Sequence, residues 1–225
     1  MQRRRRPSLV PDLYHIKRST LLKSPPSTRT EICGTYTDLD SAQAAALRRL
    51  SDEGFARETW AEYAENDLTL PEGKVDGWAY SPNIVVHART GGGGGAVGEV
   101  HTVEIESTPN SLGVRAKHDG DGRVSDQLCY VLREIECEDG VASVEITGIH
   151  LSRQAALTAA RRELLGEDRG REFYREYREQ EVGGRGGRGF GGGDDDDDDA
   201  EGPVVVVTAV GPDGERYVVS VTHES

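Results

Sequence analysis

The chain contains an internal repeat, and this repeat limits the folds that it can adopt. Residues 31–65 align without a gap with residues 145–179, and 14 of the 35 aligned positions are identical. The identical pairs include Gly34/Gly148, Ala42/Ala156, Ala46/Ala160, Leu50/Leu164, Arg57/Arg171 and Tyr63/Tyr177. Two similar segments of this length predict two units of roughly 100 residues each, which is the size of a small domain.

Short runs of alternating or β-branched residues predict a hairpin before and after each predicted helical segment. In the first unit the candidate strands are 12–22, 28–36, 84–88 and 100–106. In the second unit they are 128–136, 141–149, 204–210 and 216–222. The Glu138-Asp139-Gly140 sequence is typical of a hairpin turn, because Asp-Gly pairs readily supply the positive φ that such turns need.

Helix signals follow the first hairpin of each unit. Asp38 and Ser152 are good N-cap residues, and alanines at four-residue steps after them predict a narrow helix face that packs closely on a sheet. After Gly54 and Gly170 the sequence predicts a second helical piece that carries two aromatic residues at i, i+3 spacing. These aromatic residues, which we expect in the core or at the contact between the units, are Trp60, Tyr63, Tyr174 and Tyr177.

These elements predict an α+β protein made of two tandem copies of a ββαββ unit. The sheets should be mainly antiparallel, with helices on one face, and a pseudo-two-fold axis should relate the units. The alternative is a grasp-like mixed sheet in which the first and last strands are parallel, because element order alone does not fix strand order. The first unit would span 12–107, a linker 108–126, and the second unit 127–225.

Charge is distributed unevenly along the chain. The formal net charge is −13, but residues 1–30 carry a net +7, so the remainder carries −20. An acidic body disfavours a broad surface for nucleic acid or for an anionic membrane. Composition predicts that the basic tail 1–11 and the Gly/Asp-rich insertion 183–202 are disordered. No apolar run approaches the ~18–20 residues of a membrane-spanning helix.

The cysteines do not predict a cofactor site. Cys33, Cys129 and Cys137 are odd in number and lack CxxC spacing, so neither a disulfide framework nor a zinc site is expected. Reduced thiols are typical of a protein of the cytoplasm or the nucleus. We assign no catalytic residue, no cofactor and no metal ligand from the sequence.

Four weaker sequence patterns could mark a functional site, but each also has a purely structural interpretation. Cys33, His15 and His87 lie on predicted strands and would form a thiol–imidazole site if they met. The acidic residues Glu58, Glu62, Glu172 and Glu176 recur at i, i+4 spacing, which is typical of a solvated helix face. Asp119-Gly120-Asp121 lacks the remaining ligands of a calcium loop and predicts a turn. Arg185, Arg188 and Phe190 form a short RGG-like run, a weak signal for RNA binding beside six aspartates.

Residues that we expect to pack between the helix and the sheet resemble those of a known group of proteins. Gly34-Thr35-Tyr36 followed by Ala42 and Ala46, together with a closing Val-rich hairpin, resembles uncharacterised duplicated, two-repeat proteins predicted from filamentous fungi. The resemblance covers most of residues 12–223 outside the insertion. It implies no activity, cofactor or functional residue.

The sequence favours a non-catalytic intracellular protein-interaction or scaffold protein with an unknown protein partner. It would be a monomer with pseudo-dimeric repeats or a homo-oligomer. One alternative is an enzyme or small-ligand binder that uses a cleft between the two units. The other is a nucleic-acid-associated protein that uses the Arg-rich tail and the RGG-like run.

Overall fold

The chain forms two units, each built on an antiparallel sheet. The computed structural model describes residues 10–23, 26–70, 75–91, 98–117, 120–136, 142–166, 169–180 and 203–224. Contacts divide the chain into Met1–Asp126 with Glu224–Ser225, and Gln127–His223. Within the described residues each unit has a five-stranded antiparallel sheet and an α-helix, so the protein is α+β and mainly sheet.

The first unit places its last strand in the middle of the sheet. Its elements are β1 (Asp12–Lys23), β2 (Pro26–Tyr36), α1 (Leu39–Asp52), a short 3₁₀ helix (Arg57–Thr59), β3 (Trp60–Glu65), β4 (Ile84–Thr90) and β5 (Val100–Pro109). The strand order is β2-β1-β5-β4-β3. β5 therefore pairs with β1 on one side and with β4 on the other.

The second unit has the same arrangement of strands. Its elements are β6 (Cys129–Glu136), β7 (Ala142–His150), α2 (Arg153–Ala160), a 3₁₀ helix (Arg171–Phe173), β8 (Glu176–Glu179), β9 (Val204–Val210) and β10 (Arg216–His223). The strand order is β7-β6-β10-β9-β8, which repeats the order of the first unit.

Two expectations about the fold are wrong. The predicted second helical piece is a single 3₁₀ turn followed by a strand, β3 or β8, so each unit has one strand more than the predicted ββαββ pattern. The i, i+3 spacing of the aromatic residues suggested a helix, yet pairing with β4 or β9 fixes an extended chain there. The grasp-like alternative also fails, because the first and last strands pair antiparallel in both units.

A glycine lies beneath an aromatic ring in each unit, beside an irregularity in the strand pairing. The register shifts directly after the pairs Ile16–Gly34 and Val131–Gly148. A Cβ on Gly34 would lie 3.0 Å from Cε2 of Tyr36, and one on Gly148 would lie 3.1 Å from Nε2 of His150. The ring two residues later therefore occupies the space that a side chain would need, which explains this identical pair of the repeat.

The predicted N-cap of α1 is confirmed, and its alanines at four-residue steps are buried. Asp38 Oδ1 accepts a hydrogen bond from the Ser41 amide at 2.7 Å. Ala42 and Ala46 are fully buried and pack with strand residues, because small side chains let the helix approach β1, β2, β4 and β5 closely. In the second unit Ser152 caps α2 in the same way, and its buried residues include Ala156 and Ala160.

The end of α1 directs the chain back onto the sheet. Gly54 has φ +90, and its amide donates to Ser51 O while the Phe55 amide donates to Leu50 O at 3.0 Å. This is a Schellman arrangement, which favours glycine because other residues rarely adopt positive φ. Phe55 consequently packs against the core beside Trp60, with ring centroids 5.3 Å apart.

Much of the segment predicted as a linker is built into the first unit. β5 continues to Pro109, and the Asn110 side chain binds both the amide and the carbonyl of Val114. The Val124 amide donates to Thr35 O at 2.8 Å, so this segment extends the sheet beside the end of β2. The predicted basic tail, up to residue 9, and the insertion 183–202 lie outside the described residues.

We predict that Gly34→Ala lowers the free energy of unfolding by about 1–3 kcal/mol, as overpacked sites do, because the new Cβ displaces the Tyr36 ring. The double variant Gly34→Ala/Tyr36→Ala should lose less than the sum of the two single variants, since the clash is then absent. Urea denaturation of the four proteins measures this coupling. Strictly additive losses would show that the ring does not depend on the glycine.

Candidate functional site

A charged and aromatic cluster lies at the C-terminal end of α1. Arg18 of β1 is only 12% exposed, and its Nε lies 2.8 Å from Glu53 Oε2. Its Nη1 lies 3.6 Å from Glu31 of β2, and its guanidinium lies 5.9 Å from the centre of the Phe55 ring. The arginine thus links two strands to the end of the helix.

His101 of β5 completes this cluster. Arg18 Nη2 donates to His101 Nδ1 at 3.1 Å, and because arginine can only donate, the imidazole proton lies on Nε2. The ring is 2% exposed and meets Trp60 edge-on at 5.0 Å, while Nε2 lies 3.3 Å from Glu99. Burial, followed by the positive charge of Arg18, lowers the pKa of His101. A neutral imidazole held in this way is a packed hydrogen-bond acceptor.

The second unit uses an arginine at the same strand position. Arg133 occupies the position in β6 that Arg18 occupies in β1, because both pair with matching residues of the two neighbouring strands. Arg133 binds Glu145 of β7, and its Nη1 lies 3.1 Å from Oε1 of Glu163, which follows α2. Tyr217 stands in place of His101 and meets Tyr174 at 5.9 Å. Burial raises the pKa of Glu163 despite the neighbouring guanidinium. In both units the arginine therefore joins the helix end to the sheet, which is a structural role.

Polar residues are also buried at alternate positions of β1. His15 is fully buried, and its Nδ1 and Nε2 each lie 2.8 Å from a threonine hydroxyl, of Thr35 and Thr108 respectively. Lys17 is 3% exposed, and its Nζ lies 2.7 Å from both Glu104 and Glu106. Burial acts to lower the pKa of Lys17, but the two carboxylates outweigh it and raise the pKa overall. The lysine stays charged because it is paired twice.

The predicted thiol–imidazole site does not form. Cys33 packs in the core against α1, its Sγ lies 3.8 Å from Glu31 O, and burial raises the pKa of its thiol to about 11. His15 is occupied by its two threonines, and His87 stacks on Tyr80 at 3.9 Å. Ile16, the neighbour of His15 in β1, packs in the same core cluster as Cys33. Neighbouring residues of a strand point to opposite faces, so His15 lies on the other side of the sheet from Cys33.

The four aromatic residues that the sequence analysis expects in the core or at the contact between the units differ in their burial. Trp60 and Tyr174 are buried in the cores of their units. Tyr63 and Tyr177 are half-buried, and Arg57 or Arg171 from the preceding 3₁₀ turn lies over each ring, at 4.6 and 5.4 Å. The same arginines pair with Glu65 and Glu179 at the ends of the edge strands. Charged side chains along an edge strand discourage pairing with another chain.

The acidic residues do not form the predicted helix face. Glu62 lies on β3, where it accepts from the Tyr80 hydroxyl and from Arg89 Nε, the latter at 3.0 Å. Glu176 lies on β8 beside Arg178, while Glu58 and Glu172 lie on the exposed 3₁₀ turns. Asp121, from the calcium-like sequence, accepts from the Arg123 amide in a turn, as predicted. Arg185, Arg188, Phe190 and Cys137 lie outside the described residues.

A shallow depression opens on the sheet of the second unit. It has a volume of about 210 Å³ and is lined by residues of β8, β9 and β10. These residues are Glu176, Arg178, Thr208, Ala209, Val210 and Arg216. Arg178 and Arg216 are 76% and 61% exposed and pair loosely with Glu176 and Glu136, at 3.3 and 3.5 Å. Such exposed pairs contribute at most about 1 kcal/mol, so a ligand carboxylate can replace them.

Sequence reasoning missed Arg18, His101 and the residues of the depression. Arg18 and Arg133 are separated by one residue more than the aligned positions of the repeat. The ungapped alignment therefore does not match them, and only the strand register shows that they are equivalent. Extending the repeat alignment backwards with a one-residue gap would have paired Arg18 with Arg133. The depression combines the β9–β10 hairpin with β8, which lies on the far side of a long segment of the chain, and no local motif indicates it.

Comparisons with known proteins give no relative. No family model, curated protein or solved structure matches the chain. The resemblance to duplicated fungal proteins therefore stays a prediction. Neither helix in the described ranges has the length and apolar character that crossing a membrane requires.

We predict that stability falls as the pH drops from about 6.5 to 4, partly through His15. Its pKa is lowered to about 4 by burial and then by Lys17, so below pH 6.5 the unfolded chain binds a proton that the folded chain excludes. The maximum contribution is about 3 kcal/mol. His15→Gln should flatten the pH dependence in urea denaturation, whereas His223→Gln, at an exposed position, should not. Parallel curves for His15→Gln and the wild type would contradict this role.

We predict that Trp60→Ala lowers the free energy of unfolding by about 3–5 kcal/mol, as for other buried aromatic residues. Tyr63→Ala should cost about 1–2 kcal/mol, because its ring is only half-buried beneath Arg57 and loses less contact. Thermal or urea denaturation of the two variants measures the difference. A larger loss for Tyr63→Ala would mean that its ring is the more important anchor.

Proposed function

We propose that the protein is a non-catalytic protein-interaction or scaffold protein of the cytoplasm or the nucleus. In this proposal the depression on β8, β9 and β10 binds a carboxylate-bearing segment of a partner protein. The observation that carries the proposal is the pair of exposed guanidinium groups, Arg178 and Arg216, at one open depression of an otherwise acidic chain.

The chemistry of the depression suits a carboxylate. Guanidinium groups bind carboxylates through paired N–H donors, and Thr208, which faces Arg178 on the neighbouring strand, adds a hydroxyl donor to the lining. Val210, which is half-buried, gives the site an apolar part on which the aliphatic portion of a side chain can pack. Glu176 and Glu136 hold the arginines only loosely, so exchange for a partner's carboxylate costs little.

The size of the depression favours a protein ligand. Pockets for small molecules usually enclose about 300–1,000 Å³, whereas this one has about 210 Å³ and is open. It accommodates one or two side chains of a longer segment, whose remaining contacts lie on the surrounding sheet. The alternative of an enzyme or a small-ligand binder receives less support for this reason.

The corresponding surface of the first unit is filled. There His87 and Glu62 stand at the register positions of Thr208 and Glu176. Tyr80 stacks on His87 and donates to Glu62, so the loop before β4 covers these strands with its own side chain. The two units thus offer different surfaces, and the binding role belongs to the second unit.

Duplication accounts for the shared framework. Both units have the same strand order, an aromatic ring above the same glycine of the repeat and the same arginine over the edge-strand tyrosine. We infer that the units arose as tandem copies of one ancestral unit. In this view one copy kept a closed polar surface and the other acquired a binding surface.

Fluorescence anisotropy with labelled ten-residue peptides tests the proposal. An array of Asp/Glu-containing peptides is compared with the same sequences carrying Asn/Gln, and free C-termini are compared with amides. We expect binding selective for carboxylates that weakens as salt screens the charges. Arg178→Ala/Arg216→Ala should weaken it about tenfold or more, since two charge-assisted hydrogen-bonding groups are lost.

Arg29→Ala is the matched control, because Arg29 is equally exposed but lies on β2 of the first unit. It should leave peptide affinity unchanged. Absence of any carboxylate-selective peptide, or equal binding by the double variant, would refute the proposal. Tighter binding of single-stranded RNA than of any peptide, lost in the double variant, would instead favour the nucleic-acid alternative.

A further inference from the structure

Three potential metal ligands form a row across the sheet of the second unit. Cys129 on β6 lies directly opposite His150 on β7 and directly opposite His223 on β10. Facing residues of neighbouring antiparallel strands share one side of the sheet, with Cβ atoms about 4.5–5.5 Å apart. Val131 and Val221, two residues away along β6 and β10, pack in the core beneath α2, so the row lies on that side.

This row is specific to the second unit. The same register positions of the first unit hold Tyr14, Tyr36 and Ser107. The framework therefore does not require cysteine or histidine there. All three positions of the second unit nevertheless carry side chains that bind soft or borderline metal ions.

His150 has a buried nitrogen without a partner. Its ring lies back over Gly148, and Nε2 makes no hydrogen bond within the described residues. In the first unit the ring of Tyr36 fills the corresponding space above Gly34, and this ring contains no nitrogen that needs a hydrogen-bond partner. An unsatisfied buried polar atom is costly, so a conformation in which this nitrogen gains a ligand is favoured.

The side chains do not converge in the conformation of this structure. No group of three His, Cys, Asp or Glu residues in the described part of the chain is arranged to hold a metal ion. All three side chains already share one side of the sheet, so rotation of His150 away from Gly148 and towards Cys129 is the change that a common site requires. Burial raises the pKa of the Cys129 thiol, while Arg153, at the start of α2, acts in the opposite direction and favours the thiolate, which is the ligand form.

We propose that Cys129, His150 and His223 form a site for a zinc-like divalent cation. The Cys129 thiol loses a proton to solvent, its sulfur and one nitrogen of each imidazole bind the cation, and water occupies the fourth tetrahedral position. Affinity rises with pH, because the thiol must release its proton when the metal binds. Cys33, buried in the first unit, takes no part.

Titration of the full-length protein with Co²⁺ tests the site, because thiolate ligation gives a near-ultraviolet charge-transfer band. We expect the band to saturate at one equivalent, to disappear on addition of Zn²⁺, and to be absent from Cys129→Ser. His223→Asn, and His150→Tyr, which introduces the residue of the first unit, should each weaken Co²⁺ binding about tenfold or more.

Cys33→Ser and Cys137→Ser are the matched controls and should keep the band. Loose binding of Co²⁺ by the aspartate run gives no thiolate band and is distinguished in this way. A band that survives in Cys129→Ser, or no band in the folded wild type at pH 8, would overturn the proposal. Circular dichroism of each variant separates loss of the site from loss of the fold.

Discussion

Pairing of the first strand with the last is the constraint on which each unit depends. β5 enters between β1 and β4, and β10 enters between β6 and β9, so each sheet is complete only when the end of the unit has returned to its beginning. The Arg18 and Lys17 clusters, the depression and the Cys129 row all use this central strand. It supplies His101 beside Arg18, Glu104 and Glu106 beside Lys17, and Arg216 and His223 in the second unit. Such non-local pairing closes a long loop, and the chain loses conformational entropy in doing so before the contacts between the strands are formed.

The two units have one framework and different polar interiors. The first unit buries His15 and Lys17 and satisfies them with threonine hydroxyls and two carboxylates. The second unit has Tyr130 and Leu132 at the corresponding register positions, so it avoids the cost of burying these charged and polar groups. The pH dependence expected from His15 therefore has no counterpart at the matching position of the second unit. It also shows that the buried polar groups are not required by the fold.

The two units also differ in the chemistry of their exposed side chains. Tyr80 covers the outer strands of the first unit, while Arg178 and Arg216 remain exposed at an open depression in the second. The chain as a whole is acidic, so these guanidinium groups mark a local exception. Carboxylate recognition at this place and metal binding by the Cys129 row are separate proposals with separate variants.

The sequence by itself determined the repeat, the α+β class, the hairpins and the helix N-caps. These features are local: alternating residues predict strands, and Asp38 or Ser152 caps a helix through its own neighbouring amides. The third strand of each unit was missed because a short segment with aromatic residues at i, i+3 spacing satisfies a helical pattern, and only pairing with β4 or β9 makes it extended. Strand order was equally open.

Tertiary structure alone decided which side chains meet. Arg18 and His101 are 83 residues apart, and a long connection joins β8 to the β9–β10 hairpin in the depression, so no local spacing reveals either group. The strand register brings these residues together, and the register is set by burial of one sheet face against α1 or α2. Local sequence therefore determined the elements, while the physics of sheet closure and burial determined the candidate sites.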